Sequence, residues 1–333
     1  MTELVVTITP VVPAPRFSAA AGLELFVKRD DLSHDAYGGS KVRKLRGLLP
    51  AMIANGATDL ITVGAAGSTH VLATTVHGRA NGLAVHAVIV PQWDTAVARE
   101  VLAATLVAGA TLVPVDSELA VVTRALWLYW KLRRAGRRPV LVAPGGTQRA
   151  GVAGCVTAGD ELRAQLAAGD VPAPDAIVCA LGSGGLSAGL AVAMARATPP
   201  CRVIAVQARH GWATRPATVR RWARRVAADR AEGKRAATLL EVVDGAGRGY
   251  GIPSLDAMHA AELLDADGIA ADTTYVAKAA AWLLRHGRAH GVRRAILWGS
   301  FARPPEALRG GTIPHELATR LLRPCSQEIY EKR

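Results

Sequence analysis

The sequence predicts an α/β protein of two lobes, each a mostly parallel sheet with helices on both faces. Three observations carry that expectation. Short β-branched runs alternate with helical apolar patterns almost throughout, which is the signature of strand–helix–strand units. The alternation falls into two series, separated near Gly145–Gly146. At 333 residues the chain is long enough to build two cores.

In the first series, Leu60–Val63, Val85–Val90, Thr111–Val115 and Pro139–Val142 read as strands. Between them, Val97 to Leu106 and Leu119 to Leu132 have helical apolar spacing. The second series runs through Ala176–Leu181, a helix, Arg202–Val206, later helices and Ala295–Trp298. The expected division is a large lobe of residues 1–44 and 156–333 and a small lobe of residues 45–155, with ligands in the cleft between them. After Lys41, apolar residues at Val42, Leu45, Leu49, Met52 and Ile53 predict a helix ended by Gly56. Pro50 lies inside it, lacks an amide hydrogen, and predicts a kink or an early stop.

Half the residues are apolar and a fifth are charged, the profile of a compact protein in water. The apolar run from Val101 to Val115 is too short to span a bilayer. The N-terminal MTELVVTITPVVPAP has no basic stretch before its apolar one, so no secretory signal is expected and the chain is placed in the cytoplasm. Cys155, Cys179, Cys201 and Cys325 lack the paired spacing of a zinc site or a disulfide framework. The net charge of +13 raises nucleic acid as a partner. Much of the excess sits in Arg215 to Arg235, where Trp222 and Val226 are one turn apart and predict a helix with a solvated basic face. No nucleic-acid-binding signature accompanies it, so a small-molecule partner is expected and binding through 215–235 is the alternative.

Three segments carry chemistry. In LFVKRDDLSHDAYGGSKVRKLRGLL, residues 25–49, two glycines and a serine lead into a helix beginning at Lys41. Amides at such a helix start favour an anion. A lysine in a desolvated site near Arg43 and Lys44 sheds its proton more readily and can join an aldehyde. Lys44, one turn later, is expected to point elsewhere, and Lys28 precedes a loop. In VGAAGSTHVLATTVHG, residues 63–78, Ser68, Thr69 and His70 stand where a helix should start. They offer hydroxyls and free amides to a carboxylate, although a plain serine or threonine helix cap is the better reading of these residues taken alone. In ALGSGGLSAGL, residues 180–190, a strand, a glycine-rich turn and a helix follow in order. Backbone amides from Gly182 through Ser183, Gly184 and Gly185 to Leu186 can cradle a phosphate. A dinucleotide fingerprint fails because Ser187 stands where a third glycine is needed, and no Lys-Ser/Thr pair follows for a nucleotide loop.

Together these segments resemble the D-cysteine desulfhydrase and 1-aminocyclopropane-1-carboxylate deaminase family, of the second fold type of pyridoxal-phosphate enzymes. The family pattern K-R-D-D-L…G-G-N-K-x-R-K-L is matched by KRDDL at 28–32 and GGSKVRKL at 38–45. The resemblance implies that Lys41 is the Schiff-base lysine for pyridoxal 5′-phosphate. It implies that Ser68, in GSTH, binds the substrate carboxylate and takes part in proton transfer, with Thr69 and His70 beside it. It makes LGSGGL at 181–186 the phosphate site. GYGIP at 249–253 and DTTYVAK at 272–278 match two further motifs, whose tyrosines, Tyr250 and Tyr275, approach the substrate in the deaminases. A homodimer is implied as well.

The departures from the family are specific. Ser40 and Thr69 each replace an asparagine, and Leu186 replaces a threonine. WGSF at 298–301 replaces H-T-G-G, and an ungapped count from Gly287 puts Ser300 opposite the threonine that faces the cofactor's ring nitrogen. Val276 stands where the deaminases have a glutamate after the tyrosine. The expected activity is elimination from a small amino acid, giving ammonia and a keto acid, by an enzyme that is not an ordinary aminocyclopropane carboxylate deaminase. The alternatives are β-replacement or an altered reaction on a specialised-metabolite amino acid, or a catalytically inactive ligand- or nucleic-acid-binding homologue.

Overall fold

A computed structural model describes residues Leu4 to Pro324. The chain divides into two compact units: Val6–Lys44 with Thr147–Ala302, and Leu45–Gly146 with residues 4–5 and 303–324.

The larger unit holds a six-stranded sheet in the order Val11–Pro13, Glu24–Lys28, Arg294–Trp298, Ala176–Leu181, Arg202–Gln207, Leu240–Asp244. Its first pair is antiparallel and every other pair is parallel. The central strands read IVCAL, VIAV and AILW because both their faces are covered, and Ile177, Val203, Ile296 and Trp298 are fully buried. Helices Arg149–Ala168 and Gly185–Met194 pack against each other and close the core with Cys155, Leu162 and Leu190.

The smaller unit holds a fully parallel sheet ordered Thr111–Pro114, Ala84–Val90, Asp59–Ala65, Pro139–Leu141. Helix Ala96–Val107 buries Ala98, Val101 and Leu102, and helix Glu118–Arg134 packs Ala125 and Leu128 against Ile61 and Val88.

Each strand predicted from sequence is present, with ends within a residue or two. Three expectations are corrected. Residues 4–5 and 303–324 belong with the smaller unit: Leu322 pairs with Gln92, and Leu321 and Leu322 pack on Ala87, Ile89 and Leu102. Residues 147–155 belong with the larger unit, because the helix starting at Arg149 packs on Gly185–Met194. The helix after the glycine pair runs Ser40–Ala54 and continues beyond Pro50, so it makes no early stop there. Pro50 and Arg46 are both exposed, so solvent can meet the Arg46 carbonyl that loses its partner.

The basic stretch forms two helices, Pro216–Val226 and Arg230–Leu239, the second capped by Asp229. Trp222 and Val226 pack on the core while Arg221, Arg224 and Arg225 face solvent. No helix among the described residues is long and apolar enough to cross a membrane. Cys155, Cys179 and Cys201 are buried free thiols, and Cys325 lies outside the described residues.

Candidate active site

In the larger unit, strand Glu24–Lys28 pairs in parallel with Arg294–Trp298, so both chains leave the sheet at the same edge. The two exits lace together. Gly299 N donates to Lys28 O at 2.9 Å, Asp31 N to Gly299 O at 3.0 Å, and Ser40 N to Ser300 O at 3.4 Å. The lace requires glycine at 39: its φ is +93°, and a Cβ there would lie 2.7 Å from Ser300 O. Ser300 is thereby fixed beside the turn that launches Lys41.

Lys41 Nζ donates to Ser40 Oγ at 3.2 Å and sits 5.8 Å from the centre of the Tyr275 ring. Desolvation lowers its ammonium pKa below the usual 10.5, only partly offset by the Asp272 carboxylate. Asp272 in turn shapes the start of helix Val276–His286. Its carboxylate accepts from the amides of Thr274 at 3.2 Å, Tyr275 at 2.8 Å and Val276 at 3.0 Å. Tyr275 lies edge-to-face with Tyr250, ring centres 5.8 Å apart. Burial raises the Tyr275 phenol well above its usual value, so it stays protonated and can donate. The ring also lies against the glycine-rich turn, its Cε1 2.8 Å from where a Cβ on Gly182 would be.

That turn is arranged as expected: Gly184 takes φ +82° and caps a helix running Gly185–Met194. The amides of the helix's first turn have no acceptor within the helix, which leaves them for an anion. Leu186 contributes its backbone there, while its side chain packs into the core at 7% exposure.

Sequence reasoning missed Lys44 and Thr147. Lys44 turns away from Lys41 and onto the glycine-rich turn, donating to Thr147 Oγ1 at 3.1 Å and Ser183 Oγ at 3.4 Å. Those two hydroxyls share a 2.7 Å hydrogen bond. A Cβ on Gly185 would lie 2.9 Å from both Lys44 Nζ and Thr147 Oγ1, so the convergence depends on glycine. Burial lowers the Lys44 ammonium to about 8. The one available signal was the three-residue spacing from Lys41, one helical turn.

A buried ionic network underlies the lysine turn. Arg43 donates from Nε to Asp30 at 2.8 Å and from Nη1 to Glu161 at 2.6 Å. Lys28 Nζ reaches Glu161, Gln165 and the Thr9 carbonyl, each at 2.6 Å, and Trp298 Nε1 donates to Asp30 at 2.9 Å. The KRDDL motif thus serves mainly to hold the helix that presents Lys41 and Lys44.

The second segment lies in the smaller unit. Strand Asp59–Ala65 ends in a turn, and Ser68 caps helix Thr69–Ala80 by accepting from Val71 N at 3.4 Å. Thr69 opens the helix and is half-buried. His70 is 3% exposed, with Nε2 3.2 Å from Thr62 Oγ1 of the preceding strand, so its ring faces the interior of this unit.

The donor set of the larger unit suits a phosphorylated aldehyde: an amine whose ammonium form is disfavoured by burial at one helix start, and a phosphate cradle of amides, hydroxyls and a buried ammonium at another. Comparison with known proteins agrees. Residues 2–297 match the family model described as pyridoxal-phosphate dependent enzyme. The chain belongs to that family, and its cofactor is pyridoxal 5′-phosphate. More narrowly, it is an enzyme of the group that holds D-cysteine desulfhydrase and aminocyclopropane carboxylate deaminase. It is 34% identical over 321 residues to nocardicin C-9′ epimerase of Nocardia uniformis, covering 92% of this chain and 96% of that one. It is 32% identical over 292 residues to D-cysteine desulfhydrase of Klebsiella pneumoniae, covering 85% and 87%. Some alignments are shorter, reaching 58% of the length of a relative from Pyrococcus horikoshii. A solved structure described as an ACC deaminase homologue superposes with a TM-score of 0.77 at 25% identity, covering 90% of each chain.

Proposed function

We propose that this enzyme removes the α-proton of a small amino acid and then eliminates a side-chain leaving group, giving ammonia and a keto acid. The observation that carries the reading is Lys41: a desolvated amine at a glycine turn, its ammonium disfavoured by burial, facing Tyr275. The cofactor, when bound, supplies the electron sink for a bond broken at the α-carbon. Lys41 would carry the cofactor, and its amine, set free when the substrate's own amine takes its place, would take the α-proton. Lys44, Thr147, Ser183 and the amides from Gly184 to Leu186 hold the phosphate. The Ser300 hydroxyl serves the ring nitrogen, and an uncharged partner there suits elimination better than transamination. Thr69 takes the position of the asparagine that touches the phenolic oxygen. Ser68 binds the substrate carboxylate and moves a proton, while the Tyr275 and Tyr250 phenols donate to the substrate.

Ser68 separates structural from chemical roles by magnitude. Losing a helix cap costs about 1 kcal/mol, whereas losing a proton-transfer group costs about 10²-fold or more in rate. Ser68→Ala is expected to stay yellow, unfold only slightly earlier and lose at least about 100-fold in turnover. Unchanged turnover would reduce Ser68 to its cap.

Aminocyclopropane carboxylate is expected to be a poor substrate. Val276 is fully buried at the position of the deaminase glutamate and offers no charge or hydrogen bond to the reacting groups. Assay for ammonia and 2-oxobutanoate should give turnover well below about 1 per second, the low end of common enzymes. A rate at or above that level would show that Val276 does not set the substrate.

A second reading, inversion at the α-carbon without elimination, draws on the 34% identity to nocardicin C-9′ epimerase over 92% of the chain. One experiment separates the two. D- and L-amino acids are supplied in deuterated water and followed by cofactor absorbance, ammonia release and deuterium at the α-carbon. Ammonia with a keto acid supports elimination. Deuterated, inverted amino acid without ammonia supports epimerisation. A homodimer in the cytoplasm belongs to the leading reading, and a solution mass of one chain would remove the dimer from it.

A further inference from the structure

Lys278, on helix Val276–His286, is 3% exposed and has an unusual set of partners. Its Nζ donates to three backbone carbonyls: Ala208 at 3.2 Å, Ala246 at 2.7 Å and Gly249 at 2.7 Å. An ammonium has three N–H donors and no acceptor, so the match of donors to acceptors is complete only in the charged form. Asp272 and Asp244 act on it through space, and burial lowers its pKa to about 8. The carbonyls come from two separate connections, those following strands Arg202–Gln207 and Leu240–Asp244. Their oxygens converge on one point, and without a cation there they would face one another as unsatisfied dipoles.

We propose that Lys278 is a tethered monovalent cation: its ammonium fills a backbone carbonyl site that accepts potassium or free ammonium once the side chain is removed. Rings of carbonyl oxygens bind such ions by replacing their hydration shell, and potassium is close to ammonium in size. The site joins segments that reach the candidate active site. Gly249 directly precedes Tyr250, and Ala208 directly precedes Arg209, whose guanidinium lies 5.7 Å over the Tyr250 ring. Tyr250 packs on Tyr275, which faces Lys41. Lys278 therefore ties the connection that carries Arg209 to the one that carries Tyr250. The inference concerns the carbonyl site and holds for elimination and epimerisation alike.

The test compares wild-type, Lys278→Ala and Lys278→Gln holoenzymes by thermal unfolding. Each is measured in potassium, ammonium and tetramethylammonium chloride at one ionic strength. Wild type is expected to melt at one temperature in all three salts. Lys278→Ala should melt several degrees lower in tetramethylammonium, which is too large for the cage, and recover at least half the loss in potassium or ammonium. Lys278→Gln, which keeps a neutral donor in the cage, should lose less and respond less. Crystals of Lys278→Ala grown with rubidium should show the ion among the carbonyls of Ala208, Ala246 and Gly249. Equal behaviour in all salts, or an empty cage, would overturn the proposal. Failure of both variants to fold with potassium present would overturn it as well, because the free ion should then replace the ammonium.

Discussion

Lys41→Ala is expected to lose turnover by about 10⁴-fold, the upper range for a proton-transfer group, and to lose its covalent hold on the cofactor. The fold should survive. Within the larger unit the Lys41 amine makes one hydrogen bond, to Ser40 Oγ, and the ionic network that holds the turn runs through Arg43 instead. The variant should unfold within a few degrees of wild type while its activity collapses, and that split marks a chemical role. Lys41→Arg keeps a cation of similar reach that cannot join an aldehyde, so it should fail in the same way. Turnover within tenfold of wild type in either variant would move the chemistry to another lysine.

Arg43→Met is expected to show the opposite split, a large loss of stability. Removing the guanidinium takes the ion-pair partner from Asp30, which is fully buried and keeps the Trp298 indole as a donor, and leaves Glu161 with Lys28 and Thr9. Breaking a buried ion pair from one side costs about 3–5 kcal/mol. For a unit of this size that corresponds to about 6–20 °C in Tm, measured by calorimetry. The network should also respond to acid. Burial alone would raise the Glu161 pKa, but hydrogen bonds from Arg43 and Lys28 overcome it and leave the value lowered from 4.5. The contribution of Glu161 is therefore complete above the unfolded carboxylate pKa and lost as pH falls through the lowered folded value. Wild type should lose more stability than Arg43→Met on acidification across that window. Equal acid sensitivity in the two proteins would show that the Arg43–Glu161 pair contributes nothing.

Much of the architecture was legible because parallel strands buried on both faces leave continuous apolar runs, as in Ala176–Leu181 and Arg202–Gln207. The lysine turn was legible because Gly38, Gly39 and a serine precede a helical pattern. What stayed hidden was set by partners distant in sequence. Lys44 reads as a surface cation until Ser183, 139 positions away, receives its hydrogen bond. Lys278 reads as one lysine in a helix until two connections bring it three carbonyls. Pro50 reads as a helix breaker, and only its exposure shows why the helix tolerates it. The C-terminal segment carried no sign of its home, since a two-residue pairing with Gln92 and Trp93 leaves almost no pattern in sequence.

The most direct test of the central claim is reduction of the holoenzyme with borohydride, which fixes the cofactor to the lysine that carries it, followed by peptide mapping. The expected result is a single modified peptide with the label on Lys41. Label on Lys44, Lys28 or Lys278, or cofactor that washes away unreduced, would contradict the assignment.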